Sequence, residues 1–217
     1  MLTPFRIILS LGLWLGAMFL PAGRWDLLWF WVHMGVVLAA TLVLLFTIDR
    51  GLLQERLNPP PGGHDRSLRL VLAMLFFAHL VIAGLDAGRF HWSKEMPTGW
   101  RIAALVVFVA AMATFPWAMH VNRFFSPVVR IQSERGHHLV TTGPYRIVRH
   151  PGYLAAILAG LSSGIVLGSW WSLVPIAPII VMLVRRTIIE DHFLHAHLEG
   201  YPAYAQRVRY RLAPWVW

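Results

Sequence analysis

The chain lacks cysteine and is poor in charged side chains. None of its 217 residues is cysteine, which excludes a disulfide framework, a thiolate nucleophile and a thiolate metal site. Only 13% of the residues are charged and 57% are hydrophobic, a balance too apolar for an ordinary soluble domain. Neither the Gly-x-Gly-x-x-Gly nor the Gly-x-x-x-x-Gly-Lys-Ser/Thr pattern occurs, so soluble-type dinucleotide and phosphate sites have no support.

Six apolar runs have about the length that a helix needs to cross the hydrocarbon core of a bilayer. They are residues 5–21, 26–48, 68–85, 101–120, 152–168 and 171–189. The sequence therefore predicts an all-α, polytopic integral membrane protein with about six transmembrane helices. Residues 1–122 are interpreted as scaffold and substrate-enclosing helices, and the polar residues that can do chemistry concentrate in residues 123–217.

The basic residues predict the orientation of this six-helix arrangement. All but four of the 19 lysines and arginines fall on the side that carries both termini. Since basic residues are enriched in cytoplasmic loops, the termini and the polar C-terminal clusters are predicted to face the cytoplasm. The net charge of +9 is then interpreted as topology and attraction to anionic lipid headgroups. Nucleic-acid binding is not expected, because the basic residues are spread over several loops.

Two segments are too polar or too rich in helix breakers to be regular spans. The polar segment from Asp49 to Arg66 is interrupted by three consecutive prolines followed by two glycines, so it cannot be a regular helix throughout, and it is predicted to be a cytoplasmic strap. Residues 123–150 are predicted to form an interfacial segment. The sixth span is expected to continue as a helix to about Leu198, followed by a break and a short terminal helix.

The fifth and sixth runs form a helical hairpin with polar residues at both ends. No Asp, Glu, Lys or Arg occurs between Pro151 and Val184, so the two flanking clusters should meet at one membrane face. They are Arg146, Arg149 and His150 before the hairpin, and Arg185, Arg186, Glu190 and Asp191 after it. Carboxylates beside arginines can bind a zwitterion, of which S-adenosylmethionine is one example. The alternative is that these are ordinary juxtamembrane charges that pair with one another or with headgroups.

Closely spaced histidines also occur, at His137-His138 and at His192-x-x-His195-x-His197. Such spacing can bind a metal ion. The histidine boxes of membrane di-iron oxidases, His-x-x-x-His and His-x-x-His-His, are absent. No metal site is predicted, and the second group is interpreted as part of a solvated, weakly basic interfacial helix.

Three motifs in about the last 75 residues resemble the isoprenylcysteine carboxyl methyltransferase and phospholipid methyltransferase superfamily. They are Gly143-Pro-Tyr-Arg-Ile-Val-Arg-His-Pro-Gly-Tyr153, Glu190-Asp191-x-x-Leu194 and Tyr201-x-x-Tyr204-x-x-Arg207-Val208. The combination of Arg-His-Pro-x-Tyr with an acidic pair at hairpin spacing is specific, whereas either half alone is weak. Asp191 departs from the family, which commonly has a second Glu there.

The resemblance implies an integral membrane methyltransferase that takes S-adenosylmethionine from the cytosol and a lipophilic acceptor from the bilayer. Residues 123–217 would then be the cofactor-binding region. The cofactor-binding residues would be Tyr145, His150, Pro151, Tyr153, Glu190, Asp191 and Tyr204. The catalytic residues would be Arg149, Glu190 and Arg207.

The acceptor and its chemistry stay open at this point. If the acceptor is a carboxylate, Arg149 or Arg207 could hold it by bidentate contact. If it is an amine, Glu190 or His150 would be the candidate general base. Two other functions remain as alternatives: a membrane reductase of the sterol-reductase type that uses NADPH, and a non-catalytic protein for lipid binding or transport.

Overall fold

The computed structural model describes the backbone of residues 2–57 and 63–217, and the side chains of residues 5, 7–56 and 67–217. Over these residues the fold is all-helical, as predicted, with eight α-helices and no β-strand. The α-helices are α1 (Leu2–Ala22), α2 (Leu28–Thr47), α3 (Arg50–Leu57), α4 (Gly63–Ala83), α5 (Thr98–Val121), α6 (Pro151–Leu167), α7 (Ile176–His197) and α8 (Tyr201–Arg207). A π-helix, Gly84–Phe90, continues α4.

Four helical segments within the described residues are long and apolar enough to cross a membrane, judged by length and composition. They are Leu28–Thr47, Ser67–Phe90, Thr98–Val121 and Trp171–His197. Two shorter apolar helices, Ile7–Ala22 and Pro151–Leu167, correspond to the first and fifth predicted spans. The count of six spans therefore stays a prediction.

The polar segments follow the sequence in their main features. The backbone between α5 and α6 contains only two short 3₁₀ turns, at Ser133–Arg135 and Gly143–Arg146. The last long helix ends at His197, and α8 follows Gly200, whose φ of +77° lies in the left-handed region that favours glycine. The predicted strap begins as helix α3, and its prolines fall in residues 58–62, outside the described residues.

The described residues form two compact units. Unit 1 consists of Met1–Ala39, Arg69–Val109 and Leu158–Ile180, and unit 2 consists of Ala40–Leu68, Ala110–Ile157 and Val181–Trp217. Each unit takes segments from both sides of residue 122. The division into residues 1–122 and 123–217 follows the positions of the reactive side chains along the sequence, and it stays a prediction about function.

Unit 1 packs α1 closely against the π-helix. A Cβ at Gly84 would lie 2.3 Å from the Met18 carbonyl oxygen, and one at Gly88 would lie 2.4 Å from Ala22 Cβ. Only glycine allows this approach. A hydrophobic cluster surrounds the contact, and its fully or nearly fully buried members are Met18, Phe19, Ala22, Phe30, Leu80, Ala83 and Leu167.

A chain of hydrogen bonds connects two buried histidines of unit 1. Ser163 Oγ lies 2.9 Å from the Nε2 atoms of both His33 and His79, and His79 Nδ1 lies 2.8 Å from the Ser172 carbonyl oxygen. A carbonyl only accepts, so His79 carries its proton on Nδ1 and its Nε2 must accept from the Ser163 hydroxyl. The single serine proton is then used, and His33 Nε2 donates to the same oxygen. Every hydrogen bond in this chain forms with both imidazoles neutral, which suits an apolar interior, while the buried His33 Nδ1 has no hydrogen-bond partner.

We predict that Ser163→Ala destabilises unit 1 by about 1–2 kcal/mol, because two buried imidazole nitrogens lose their partner. The neighbouring substitution Ser162→Ala is the matched control. The Ser162 hydroxyl donates to carbonyls of its own helix, Leu158 at 2.6 Å and Ala159 at 3.4 Å, so its loss should cost no more than about 0.5 kcal/mol. Unfolding of both variants in bicelles measures the difference, and equal losses would contradict the role of Ser163.

Candidate active site

A cavity in unit 2 is bounded by the segment between α5 and α6, the start of α6, the end of α7 and α8. Six of the nine predicted site residues line it: Tyr145, Arg149, His150, Tyr153, Glu190 and Tyr204. The remaining three, Pro151, Asp191 and Arg207, do not. The polar ends of the hairpin thus lie side by side, as the distribution of charges predicted.

The Tyr153 hydroxyl forms hydrogen bonds with a glutamate and an arginine at the wall of this cavity. Its hydroxyl donates to Glu190 Oε2 at 2.5 Å and accepts from Arg186 Nε at 2.7 Å. Arg186 in turn donates from a terminal nitrogen to the Pro127 carbonyl oxygen at 2.6 Å. The Glu190 side chain is 26% exposed, and its other oxygen lies 4.0 Å from His150 Nδ1. Glu190 is therefore fixed through one oxygen while it lines the cavity.

Asp191, the next residue, lies in a different environment. Its side chain is fully buried and forms a side-on pair with Arg149, with distances of 2.7 and 3.0 Å. Tyr201 donates to Oδ1 at 2.8 Å, and His150 Nε2 lies 3.3 Å from the same oxygen. Arg211 Nε donates to Oδ2 at 2.8 Å. The two adjacent carboxylates thus lie in different environments. Glu190 lines the cavity, and Asp191 is buried behind the cavity wall.

The arginine of the side-on pair also holds the C-terminal segment. One terminal nitrogen of Arg149 donates to the carbonyl oxygens of Val208 and Arg209, both at 2.8 Å. The backbone N–H of Arg149 donates to the Tyr210 carbonyl oxygen at 2.9 Å, and that of His150 donates to the Arg211 carbonyl oxygen at 2.9 Å. Pro151 then begins α6, where a missing N–H costs no helical hydrogen bond.

Two tyrosines form another part of the wall. The Tyr204 hydroxyl donates to the Tyr145 carbonyl oxygen at 2.7 Å, and the Tyr204 side chain is almost fully buried. Burial raises the pKa of both phenols well above the usual value, so both stay protonated. The turn that carries Tyr145 begins at Gly143, with φ of +57°, and a Cβ there would lie 2.9 Å from a Val121 methyl group.

An ion-pair network fixes the irregular wall formed by residues 122–140. Glu55 of α3 accepts from Arg130 Nε and a terminal nitrogen, at 3.2 and 2.9 Å, and from the Ser126 hydroxyl at 2.8 Å. Burial raises the pKa of the Glu55 carboxyl, but the Arg130 and Ser126 hydrogen bonds outweigh it, so the pKa lies below its usual value. Inside the wall, Gln132 donates to the Phe124 carbonyl oxygen at 2.7 Å.

Sequence reasoning missed Glu55 and Gln132 as site-supporting residues, and it placed Arg130 and Arg211 only among the basic residues of the cytoplasmic side. Glu55 and Arg130 are 75 residues apart in separate polar segments, and no local pattern connects them. Arg207, which was predicted to touch the acceptor, is exposed on α8 and outside the cavity lining. No group of three or more potential metal ligands occurs among the described residues.

We predict that Glu55→Gln loosens the cavity wall, because Arg130 and Ser126 lose a buried anion. Amide hydrogen exchange over residues 122–140 should accelerate about tenfold, equivalent to about 1.4 kcal/mol. The control is Glu134→Gln, since Glu134 also pairs with Arg130 but is 57% exposed, and it should leave exchange nearly unchanged. Because the Glu55 pKa is lowered in the folded state, its contribution is present above pH about 4.5 and disappears as the pH falls through the folded-state pKa. Equal effects of the two substitutions would contradict this assignment.

Comparison with known proteins identifies relatives of this region. The Isoprenylcysteine carboxyl methyltransferase (ICMT) family profile matches residues 102–196. A rice protein (Oryza sativa subsp. indica) named "Probable protein-S-isoprenylcysteine O-methyltransferase" is 32% identical over 89 residues, 40% of this chain and 47% of the relative. "Protein-S-isoprenylcysteine O-methyltransferase B" of Arabidopsis thaliana is 32% identical over 89 residues, 40% of this chain and 45% of the relative.

A longer alignment, with "Protein-S-isoprenylcysteine O-methyltransferase A" of Arabidopsis thaliana, is 25% identical over 130 residues, 59% of this chain and 63% of the relative. The chain thus spans about half the length of the first curated relatives it matches. The matched residues include Arg149, His150, Tyr153, Glu190 and Asp191, which is the set that the structure brings together. The part of the chain that forms the hairpin and most of the cavity lining is therefore similar to the isoprenylcysteine carboxyl methyltransferase family, which confirms the resemblance that the sequence motifs predicted.

Proposed function

We propose that this protein is an S-adenosylmethionine-dependent methyltransferase that acts on a lipophilic acceptor from the membrane. The observation that carries the proposal is the Glu190 carboxylate, fixed by Tyr153 in the wall of a cavity that is formed by the family-matched part of the chain. The basic loops around the cavity support a cytoplasmic position for the site, with the cofactor entering from the cytosol.

The residues of the cavity fit the cationic groups of such a cofactor. Glu190 offers a partly exposed carboxylate, and the rings of Phe124, Phe125, Tyr145 and Tyr153 line the same cavity. Carboxylates and aromatic faces both attract ammonium and sulfonium groups. Bound S-adenosylmethionine supplies a methyl group already activated by its sulfonium. In the proposal, Glu190 holds the ammonium group, with His150 and Tyr204 shaping the surrounding wall.

The task of the chain is then to hold the reacting groups in line and to keep water out. Catalysis of this kind depends on positioning, which residues with fixed rotamers provide. Tyr153 is fixed between Glu190 and Arg186, and Tyr204 is fixed on the Tyr145 carbonyl. We propose that these contacts set the shape of the cavity before any ligand binds.

The names of the relatives support a carboxylate acceptor, because each denotes an O-methyltransferase acting on isoprenylcysteine. A carboxylate needs no proton removed before methylation, so no general base is required. Of the two arginines proposed to hold it, Arg149 lines the cavity and Arg207 does not. We therefore propose Arg149 as the nearer acceptor contact, and Arg207 as a residue that would act only if α8 moves.

The proposal is tested with membranes containing the protein, methyl-labelled S-adenosylmethionine and an S-isoprenylated N-acetylcysteine. We expect label in an alkali-labile methyl ester, and no transfer to the matching carboxamide. Glu190→Ala should reduce the rate at least about 100-fold while the protein stays in the membrane. Glu199→Gln, an exposed acid nearby on the chain, serves as the control and should retain the wild-type rate.

Two results would contradict the proposal. One is transfer by Glu190→Ala at the wild-type rate. The other is a thermal stabilisation of the purified protein by NADPH and not by S-adenosylhomocysteine, which would favour a reductase. A membrane protein without enzymatic activity would transfer no methyl label to any lipid or protein. Mass spectrometry of the total lipid and protein extract would then find no labelled product.

We predict that Tyr153→Phe weakens binding of S-adenosylhomocysteine by about tenfold or more, because Glu190 loses a hydrogen bond to its charged oxygen. The phenyl ring still fills the space and can still stack on His150. Arg186 loses one acceptor and keeps its hydrogen bond to the Pro127 carbonyl, so the apo protein should still fold and lose no more than about 1–2 kcal/mol. Isothermal titration in detergent measures the affinity. An unchanged affinity would show that the Tyr153 hydroxyl does not orient Glu190 for the ligand.

A further inference from the structure

Glu190 and Asp191 are adjacent in the sequence but have opposite exposure. Glu190 is 26% exposed and lines the cavity, whereas the Asp191 side chain is fully buried and does not line it. We propose that Asp191 is a positioning residue: it makes no contact with the cofactor, and it holds the cavity-lining residues Arg149, His150 and Tyr201 from behind. The inference rests on the proposed function, in which the cavity binds S-adenosylmethionine.

The helix geometry separates the two carboxylates. Successive residues of an α-helix point about 100° apart, since one turn takes 3.6 residues. Both acids belong to α7 (Ile176–His197), so their side chains leave the helix in different directions, and Glu190 alone of the two lines the cavity. Glu190 reaches the Tyr153 hydroxyl on the cavity side. Asp191 points toward Arg149 and the C-terminal segment instead.

The acceptor capacity of Asp191 is already used. Oδ1 receives Arg149 Nε at 2.7 Å and the Tyr201 hydroxyl at 2.8 Å, with His150 Nε2 at 3.3 Å. Oδ2 receives the other Arg149 nitrogen at 3.0 Å and Arg211 Nε at 2.8 Å. Five donors surround a carboxylate that has about four lone-pair sites. No acceptor site is left for the ammonium group of a ligand.

Four of these five donor groups belong to three residues that form the cavity wall. Arg149, His150 and Tyr201 all line the cavity, and each is oriented by the same carboxylate. Burial first, and then the negative charge of Asp191, raises the pKa of Tyr201 well above the usual value, so Tyr201 stays protonated and able to donate. A change at Asp191 therefore reaches a bound ligand through three side chains at once.

The fifth donor, Arg211 Nε, connects Asp191 to the C-terminal segment. Its guanidinium lies over the Trp217 ring at 5.1 Å, and its backbone N–H donates to the Trp217 carbonyl oxygen at 2.9 Å. Arg211 does not line the cavity, so its removal disturbs Asp191 without removing any group that a ligand touches. This makes Arg211 the residue that separates positioning from direct contact.

The experiment measures binding of S-adenosylhomocysteine by isothermal titration to wild type, Asp191→Asn, Arg211→Met and the double variant. Asp191→Asn should raise Kd by about tenfold or more, in the range found when supporting residues behind a ligand shell are removed. Arg211→Met should raise Kd by about threefold. The double variant should be no weaker than Asp191→Asn alone, because both changes act through one network.

The stoichiometry of binding separates this role from a general loss of structure. A positioning residue leaves the number of sites per protein at the wild-type value and raises KM for the cofactor. A merely structural defect lowers the number of competent sites and kcat, with Kd and KM unchanged, and that result would overturn the proposal. So would a wild-type Kd for Asp191→Asn, or an Arg211→Met variant that binds like wild type beside an Asp191→Asn variant that does not bind.

Two further outcomes are informative. If Asp191→Asn does not fold, Arg211→Met alone decides, and its wild-type affinity would overturn the inference. If wild type binds no S-adenosylhomocysteine, the proposed function fails, whatever the variants do. The failure of the proposed function and the failure of this inference are therefore distinguishable.

Discussion

The side-on pair between Arg149 and Asp191 is the interaction on which the arrangement of unit 2 depends. It connects the residues just before α6 to the end of α7, although the two residues are 42 positions apart in the chain. A buried pair of this kind is weak evidence for stability, because desolvation offsets much of the attraction. Its effect here is geometric, since the bidentate contact fixes both the distance and the orientation of the two helix ends.

The remaining donors of the site are arranged around this pair. Arg149 uses its other terminal nitrogen for two backbone carbonyls of the C-terminal segment, and Asp191 uses its remaining lone pairs for Tyr201, His150 and Arg211. Because Arg149 and Asp191 hold these neighbours in place, Glu190 and Tyr153 make none of the supporting contacts. They bond to each other and line the cavity instead.

The helices and the pairing of the hairpin ends could be predicted from the sequence. A charge-free stretch from Pro151 to Val184 that is long enough for two spans predicts that both polar ends lie together, and the Tyr153–Glu190 hydrogen bond joins those ends. The different exposure of Glu190 and Asp191 could not be predicted in the same way. Both are acids beside arginines, and only the rotation of α7 decides which of them is buried. The Glu55–Arg130 ion pair could not be predicted either. The two residues are 75 positions apart in separate polar segments, and no sequence pattern indicates that these segments lie side by side.

The relatives extend well beyond the part that matches this chain, and the family-matched residues 102–196 take segments from both units. The two units differ in how they respond to substitution. Unit 2 contains the charged network, where a change in the length or charge of one side chain alters several partners. The core of unit 1 is mainly apolar packing, where many combinations of side chains of similar volume are tolerated.

The serine between His33 and His79 has one consequence for unit 1 that goes beyond its hydrogen bonds. Its single proton can point to only one imidazole at a time, so both hydrogen bonds form only when the segments that carry the three side chains keep their relative heights. A shift of any one helix by a turn, about 5.4 Å, would break the set and leave neutral imidazoles without partners in an apolar layer. Van der Waals packing between apolar helices only weakly restricts how far one helix slides along another. The hydrogen bonds of His33, Ser163 and His79 fix this axial register.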